Sequence, residues 1–150
     1  GVPGGACSCP SLAIRRYLGR LSGPLVDRID IELGLQRISA TQGIGAGTTS
    51  EEARGRVIAA RDRAGRRLAD TPWRMNSEVE GTWLRSGPLR PDRSITRPLD
   101  DALHRGSITL RGYDRVLRVA WTLADLAGKD RPDAADVGGA LYLKRGASAS

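Results

Sequence analysis

The chain has no phenylalanine, one histidine, two cysteines and only 4% aromatic residues among its 150. So few rings exclude a base-stacking platform of the kind that reads single-stranded RNA. Two cysteines cannot frame a disulfide scaffold, and the expected compartment is the cytoplasm. With one histidine, no nucleophile elbow and no H-E-x-x-H, independent hydrolytic chemistry has no residues to run on. No apolar run approaches the roughly 18 residues of a membrane span. The opening GVPGGACSCP lacks the charged-then-apolar layout of a signal peptide and an initiator Met, so a piece of a longer protein is expected. Nothing matches G-x-x-x-x-G-K-[ST], and no apolar run ends in Asp-Glu. The chain by itself therefore has neither Walker A nor Walker B, and GIGAGTTS at 43–50 reads as a loop.

What is present is a hydrophobic fraction of 39%, enough for a core, and a net charge of +7. Of the 24 cationic residues only Lys129 and Lys144 are lysines. Arginine stays charged and offers a planar fork suited to phosphate, so an anionic partner fits. A GC-rich genome would produce the same surplus, so each arginine has to be judged by its position.

Periodicity gives a mainly helical chain. Leu12, Ile14, Leu18 and Leu21 predict a helix over 11–21. After the Ser22-Gly23-Pro24 break, Ile29, Ile31, Leu33 and Leu35 alternate with Asp30 and Glu32, the pattern of a half-buried strand. A lone strand cannot satisfy its own backbone groups, so its sheet partners are expected outside this chain. Thr49 and Glu52 form a capping box opening a helix to about Leu68, with Ala53, Val57, Ala60, Ala64 and Leu68 as its apolar stripe. Six arginines (Arg54, Arg56, Arg61, Arg63, Arg66, Arg67) are expected on its solvated face. A short helix over Ser77–Leu84 and another capped by Thr96 and closed by Gly106 follow. Thr109 starts a helix to about Ala127, and Asp133 starts the last, through Val137, Ala140 and Leu141. A Gly/Ala/Ser tail after Lys144 is expected to fray.

Two places invite chemistry. On the helix from Thr109, Tyr113, Val116, Leu117, Ala120, Leu123, Ala124 and Ala127 share one side, and Arg111, Arg115 and Arg118 share the other. Arg115 and Arg118 fit a solvated charged face. Arg111 lies in the first turn, where free amides and the helix dipole favour an anion, and Gly112 beside it keeps the approach open. The second place is Asp27-Arg28-Ile29-Asp30, between the Gly-Pro turn and the strand. An arginine there can meet a neighbouring subunit or pair within the chain with Asp27 or Asp30. Cys7 and Cys9 are a bare C-x-C: two free thiols, or half of a zinc site.

LGRLSGPLVDRIDIEL (18–33), TTSEEARGRVIAARDRA (48–64) and LRGYDRVLRVAWTLADLAG (110–128) together resemble the C-terminal part of magnesium-chelatase-like AAA+ ATPases, nearest to the YifB/ComM branch. The resemblance implies the last helix and strand of an incomplete α/β AAA+ core (1–40), a Gly-rich linker (41–48), a helical lid (49–145) and a tail (146–150). It implies that Arg28 is the arginine finger, acting in trans on a neighbour's ATP. It implies that Arg111 is the sensor-2 arginine, contacting the γ-phosphate bound to its own subunit. Cys7 and Cys9 match the second pair of a C-x-C-type metal site whose first pair lies upstream. The implied partners are an N-terminal AAA+ core, a homo-oligomeric ring (a hexamer), ATP with Mg2+, and DNA remodelled by branch migration. Porphyrin metallation is the family's other activity. This chain alone is expected to be inactive as an ATPase. A stand-alone basic helical DNA-binding module and a purely structural interaction domain remain alternatives.

Overall fold

The computed structural model describes residues 9–20, 22–34, 47–145 and 147–148. Cys7, Leu21, Leu35 and most of the Gly-rich linker lie outside them. The described chain is mainly α: α1 (Ser11–Leu18), α2 (Gly23–Val26), α3 (Ser50–Arg67), α4 (Gly81–Ser86), α5 (Arg93–His104), α6 (Leu110–Ala127) and α7 (Ala134–Lys144), with β1 (Leu33–Gly34) and β2 (Ala147–Ser148). Among the described residues no helix is long and apolar enough to cross a membrane.

Helix α6 is the hub, with α3, α4, α5 and α7 all packed against it. Its burial therefore exceeds a single stripe: Val119 and Trp121 are buried together with Tyr113, Val116, Leu117, Ala120 and Ala124, whereas Ala127 is exposed. Leu68, Val79, Leu84, Leu99 and Val137 close the core around it. Fully burying each such side chain contributes about 1.5–3 kcal/mol. The Trp121 indole N–H donates to the Leu89 carbonyl at 3.2 Å, so the largest core ring keeps its hydrogen bond. Tyr113 donates its hydroxyl to Asp100 at 2.7 Å. Burial first, and the Asp100 carboxylate second, push its phenol up to about 12.

Local capping follows the residues. Thr49 Oγ1 accepts from the Glu52 amide at 3.2 Å, and Glu52 accepts from the Thr49 amide at 2.8 Å, so the predicted box opens α3. Asp133 caps α7 through the amides of Ala135 and Asp136. Gly128 ends α6 at φ 76°, a left-handed turn that favours glycine.

Several expectations are corrected. The helix near residue 77 is a 3-10 turn (Asn76–Glu78) followed by α4, because Val79 turns inward in an extended conformation between them. Thr96 does not cap α5. That helix starts after Asp92, Thr96 is buried inside it, and Pro98 sits within it. In α3 only Ala60, Ala64 and Leu68 of the expected stripe are buried; Ala53 and Val57 are exposed. The arginine face of α3 also divides. Arg54, Arg56, Arg61 and Arg66 are exposed, but Arg67 grips the buried Asp125 at 2.5 and 2.8 Å and lies 4.2 Å over Trp121. Arg63 donates to the Asp125 carbonyl.

The strand pattern resolves differently from its expectation. Only Leu33 and Gly34 form a ladder, and they pair in parallel with Ala147 and Ser148 of the same chain. The partner thus comes from the segment expected to fray. Ile29, Ile31 and Leu33 are all exposed, so the alternating apolar edge is not buried by the described residues.

Candidate functional site

The two sequence-selected arginines lie at the junction between residues 22–34 and the helices around α6. Thr109, the N-cap of α6, makes the junction's central contact. Its hydroxyl accepts from the Gly112 amide at 3.0 Å and donates to the Asp27 carboxylate at 2.9–3.0 Å. A hydroxyl does both at once because it is donor and acceptor. Nearly two helical turns further on, Arg115 pairs with Asp30. From the end of α7, Lys144 Nζ donates to the carbonyls of Asp27 and Ile29, at 3.2 and 2.7 Å. The Leu143 carbonyl accepts from the Glu32 amide at 2.9 Å. The four-residue stretch Asp27–Asp30 is therefore held at both ends, by backbone and by side chain.

Arg28 sits in the middle of this stretch and takes no part in holding it. Its side chain is exposed, and among the described residues its guanidinium has no acceptor. The pairing with Asp27 or Asp30 that the sequence left open does not form among the described residues; Asp27 accepts from Thr109 and Asp30 pairs with Arg115 instead.

Arg111 is also exposed and without a partner among the described residues. It lines an open crevice of about 850 Å³ with Pro24, Asp27, Ser107, Lys144 and Arg145. The crevice is cationic: its one carboxylate, Asp27, is already engaged by Thr109. Arg28 is not among the lining residues, so the two arginines face different spaces.

The other members of the predicted arginine row have separate fates. Arg115 is spent on Asp30. Arg118 donates through Nε and Nη2 to the Val79 carbonyl, at 3.0 and 2.8 Å, and ties the 3-10 turn to α6. The side opposite the apolar stripe is thus a docking side for other segments, not a solvated face. Gly112 is buried rather than flanking an open approach. A Cβ there would stand 3.6 Å from Asp27 Oδ1, so it belongs to the Asp27 contact.

Cys9 is an exposed free thiol, and Cys7 is outside the described residues. Among the described residues no group of three or more metal-binding side chains assembles.

Sequence reasoning missed Lys144. The signal was its identity: one of two lysines in a chain that otherwise uses arginine. Its compact ammonium on a flexible stem converges on two carbonyls. Lys129 behaves alike, bridging Asp133 and Asp136 at 2.6 and 3.0 Å.

Residues 47–144 match the family described as magnesium chelatase, subunit ChlI C-terminal, and residues 1–43 match magnesium chelatase, subunit ChlI. The chain belongs to the magnesium-chelatase-like YifB/ComM family. Its helices around α6 are the helical lid of that AAA+ family. The uncharacterized protein Rv2897c of Mycobacterium tuberculosis is 43% identical over 140 residues, which is 93% of this chain and 28% of the relative. The competence protein ComM of Haemophilus influenzae is 35% identical over 79% of this chain and 23% of its own length. The protein YifB of Salmonella typhimurium is 34% identical over 77% of this chain and 22% of its own. The chain thus spans about a quarter of the length of these relatives.

Proposed function

We propose that this chain is the C-terminal part of a cytoplasmic, ring-forming AAA+ ATPase, and that it supplies two of the arginines that make ATP hydrolysis depend on assembly. Arg28 is the finger. It acts in trans, and its charge neutralises the phosphoryl group in transfer on the neighbouring subunit. Such fingers raise rates by about 10³–10⁵-fold. Arg111 is the sensor-2 residue. It meets the γ-phosphate of ATP held by its own subunit's core and links lid position to nucleotide state. The phosphate loop and the ligands of Mg2+ come from the N-terminal core, where the family carries them. The cationic lining of the Arg111 crevice suits triphosphate oxygens.

One observation supports the reading above others: both carboxylates flanking Arg28 bond to α6, and the Arg28 side chain is exposed with no acceptor among the described residues. A cation with no acceptor among the described residues, on a turn anchored at both ends, fits a finger, because a preorganised charge costs little rearrangement at the moment of reaction. Hydrolysis is proposed to drive remodelling of DNA, in line with the name of ComM, a competence protein.

The test is hydrolysis by the complete protein, N-terminal core included. Arg28→Ala and Arg111→Ala should each lower kcat by at least about 100-fold. Mixing Arg28→Ala subunits with subunits that cannot bind ATP should restore activity, since the intact finger then faces an intact nucleotide site. Both variants at the parental rate would overturn the assignment.

A second reading rests on α3, whose Arg54, Arg56, Arg61 and Arg66 are exposed. In it the chain binds DNA phosphates on its own. A salt titration decides: tight binding by this chain with a steep negative slope supports the module, and no binding at moderate salt supports the lid.

A further inference from the structure

We propose that Thr109, Arg115 and Lys144 are positioning residues that tie the finger to the lid, so that nucleotide sensed by Arg111 in one subunit sets the aim of Arg28 at the next. This rests on the proposed roles of Arg28 and Arg111 and adds how the two communicate. The connection is short. Arg111 is two residues from Thr109, whose hydroxyl holds Asp27, the residue before Arg28. Arg115, on the same side of α6, holds Asp30, two residues after Arg28. Lys144 holds the carbonyls on both sides of Arg28. The finger turn therefore has three attachments, to the N-cap and second turn of α6 and to the end of α7. A rotation of α6 that carries Arg111 toward a γ-phosphate has to carry Asp27 and Asp30 with it.

The contacts link the two places reciprocally. They are polar, and two of them join the helix that carries Arg111 to the residues on either side of Arg28. Arg28 has nothing else among the described residues to hold it, so its position is set through these three attachments. The attachments touch no phosphate themselves. Their loss should appear in the transition state that Arg28 serves, not in the binding of ATP.

The experiment compares steady-state ATP hydrolysis by complete rings. Asp30→Asn and Arg115→Met should each lower kcat by up to about 100-fold while KM for ATP stays within about 2-fold, since a finger displaced by about 1 Å loses rate without losing ground-state affinity. The parental ring should hydrolyse ATP with a Hill coefficient above 1, and both variants should bring it to 1. The exchanged pair, Asp30→Arg with Arg115→Asp, should recover the lost kcat and cooperativity, which separates a contact between the two from a role for either alone. Thermal melting of each variant identifies one that has merely unfolded, and Lys144→Met then supplies the independent case, with the same kcat and KM pattern. A parental Hill coefficient of 1 overturns the coupling. So do Asp30→Asn and Arg115→Met rings that keep parental kcat and cooperativity, or an exchanged pair no better than the single variants. If those results appear while Arg28→Ala and Arg111→Ala are crippled, the finger and sensor remain and only the coupling falls. If Arg28→Ala and Arg111→Ala are themselves at the parental rate, both readings fall together.

Discussion

The pair Arg67–Asp125 should be the most sensitive polar contact in the lid. Asp125 is 1% exposed and takes both oxygens' worth of hydrogen bonds: Arg67 at 2.5 and 2.8 Å and the Asn76 amide at 2.8 Å. Arg67 in turn lies over Trp121 and donates to Asn76 Oδ1 at 2.8 Å. In Asp125→Ala the guanidinium stays under the 3-10 turn with only the Asn76 oxygen to accept from it. Its Nε is already buried without a partner, so it has little slack. Breaking a buried pair by removing one side costs about 3–5 kcal/mol. The retained contact with Trp121 and the slight exposure of Arg67 place this case near about 3 kcal/mol. Out of a usual stability of about 5–15 kcal/mol, that is a large fraction. The double variant Arg67→Met/Asp125→Leu leaves no stranded charge and should return to within about 1 kcal/mol of the parent. Urea unfolding of this chain, followed by far-ultraviolet circular dichroism, measures both. A cost below about 1 kcal/mol for Asp125→Ala, or a double variant as unstable as the sum of the single ones, would refute the reasoning.

Alkaline titration of tyrosine absorbance should show one group ionising at about 12, and Tyr113→Phe should remove it. Because folding raises that value, the associated stability is present below pH 10 and is lost as pH rises toward 12; a parental titration without the late step would refute the buried bond to Asp100. At the other end of the scale, the Lys129 ammonium, then the amides of α7, hold the Asp133 carboxyl down at about 2. Its contribution is therefore complete above about pH 4 and fades as pH falls toward 2. Asp133→Asn should flatten the acid limb of the stability curve there, and an unchanged limb would show that the cap and the Lys129 contact do not act on folding.

The helices were legible because their signals are local. The Thr49 and Glu52 box, the Thr109 and Asp133 caps and the terminating Gly128 lie within one turn of what they stabilise, so residue order alone displays them. Thr96 misled for the same reason. It has a cap's chemistry, but it is buried within α5 with its hydroxyl directed at Asp100. The arginines of α3 misled because a charged stripe looks alike whether it meets water or a buried carboxylate; Arg63 and Arg67 meet Asp125, about 60 residues away, through packing that no local pattern encodes. The two arginines of the candidate site were singled out by a helix N-terminus and a family motif, and both are exposed. Which of their neighbours were already committed could not be read from spacing.

Residue order thus determined where helices begin and end, that the chain is mainly α, and which two guanidinium groups to watch. Only the tertiary structure decided what surrounds them. The contacts that anchor the residues around Arg28 join residues 82, 85 and 117 positions apart. The strand's partner likewise came from the far end of the chain, at Ala147 and Ser148. Caps and periodic faces act over one turn and appear in sequence as spacing. Ion pairs and ladders form between whichever groups the core brings within about 3 Å, and that is settled only when α6 is surrounded.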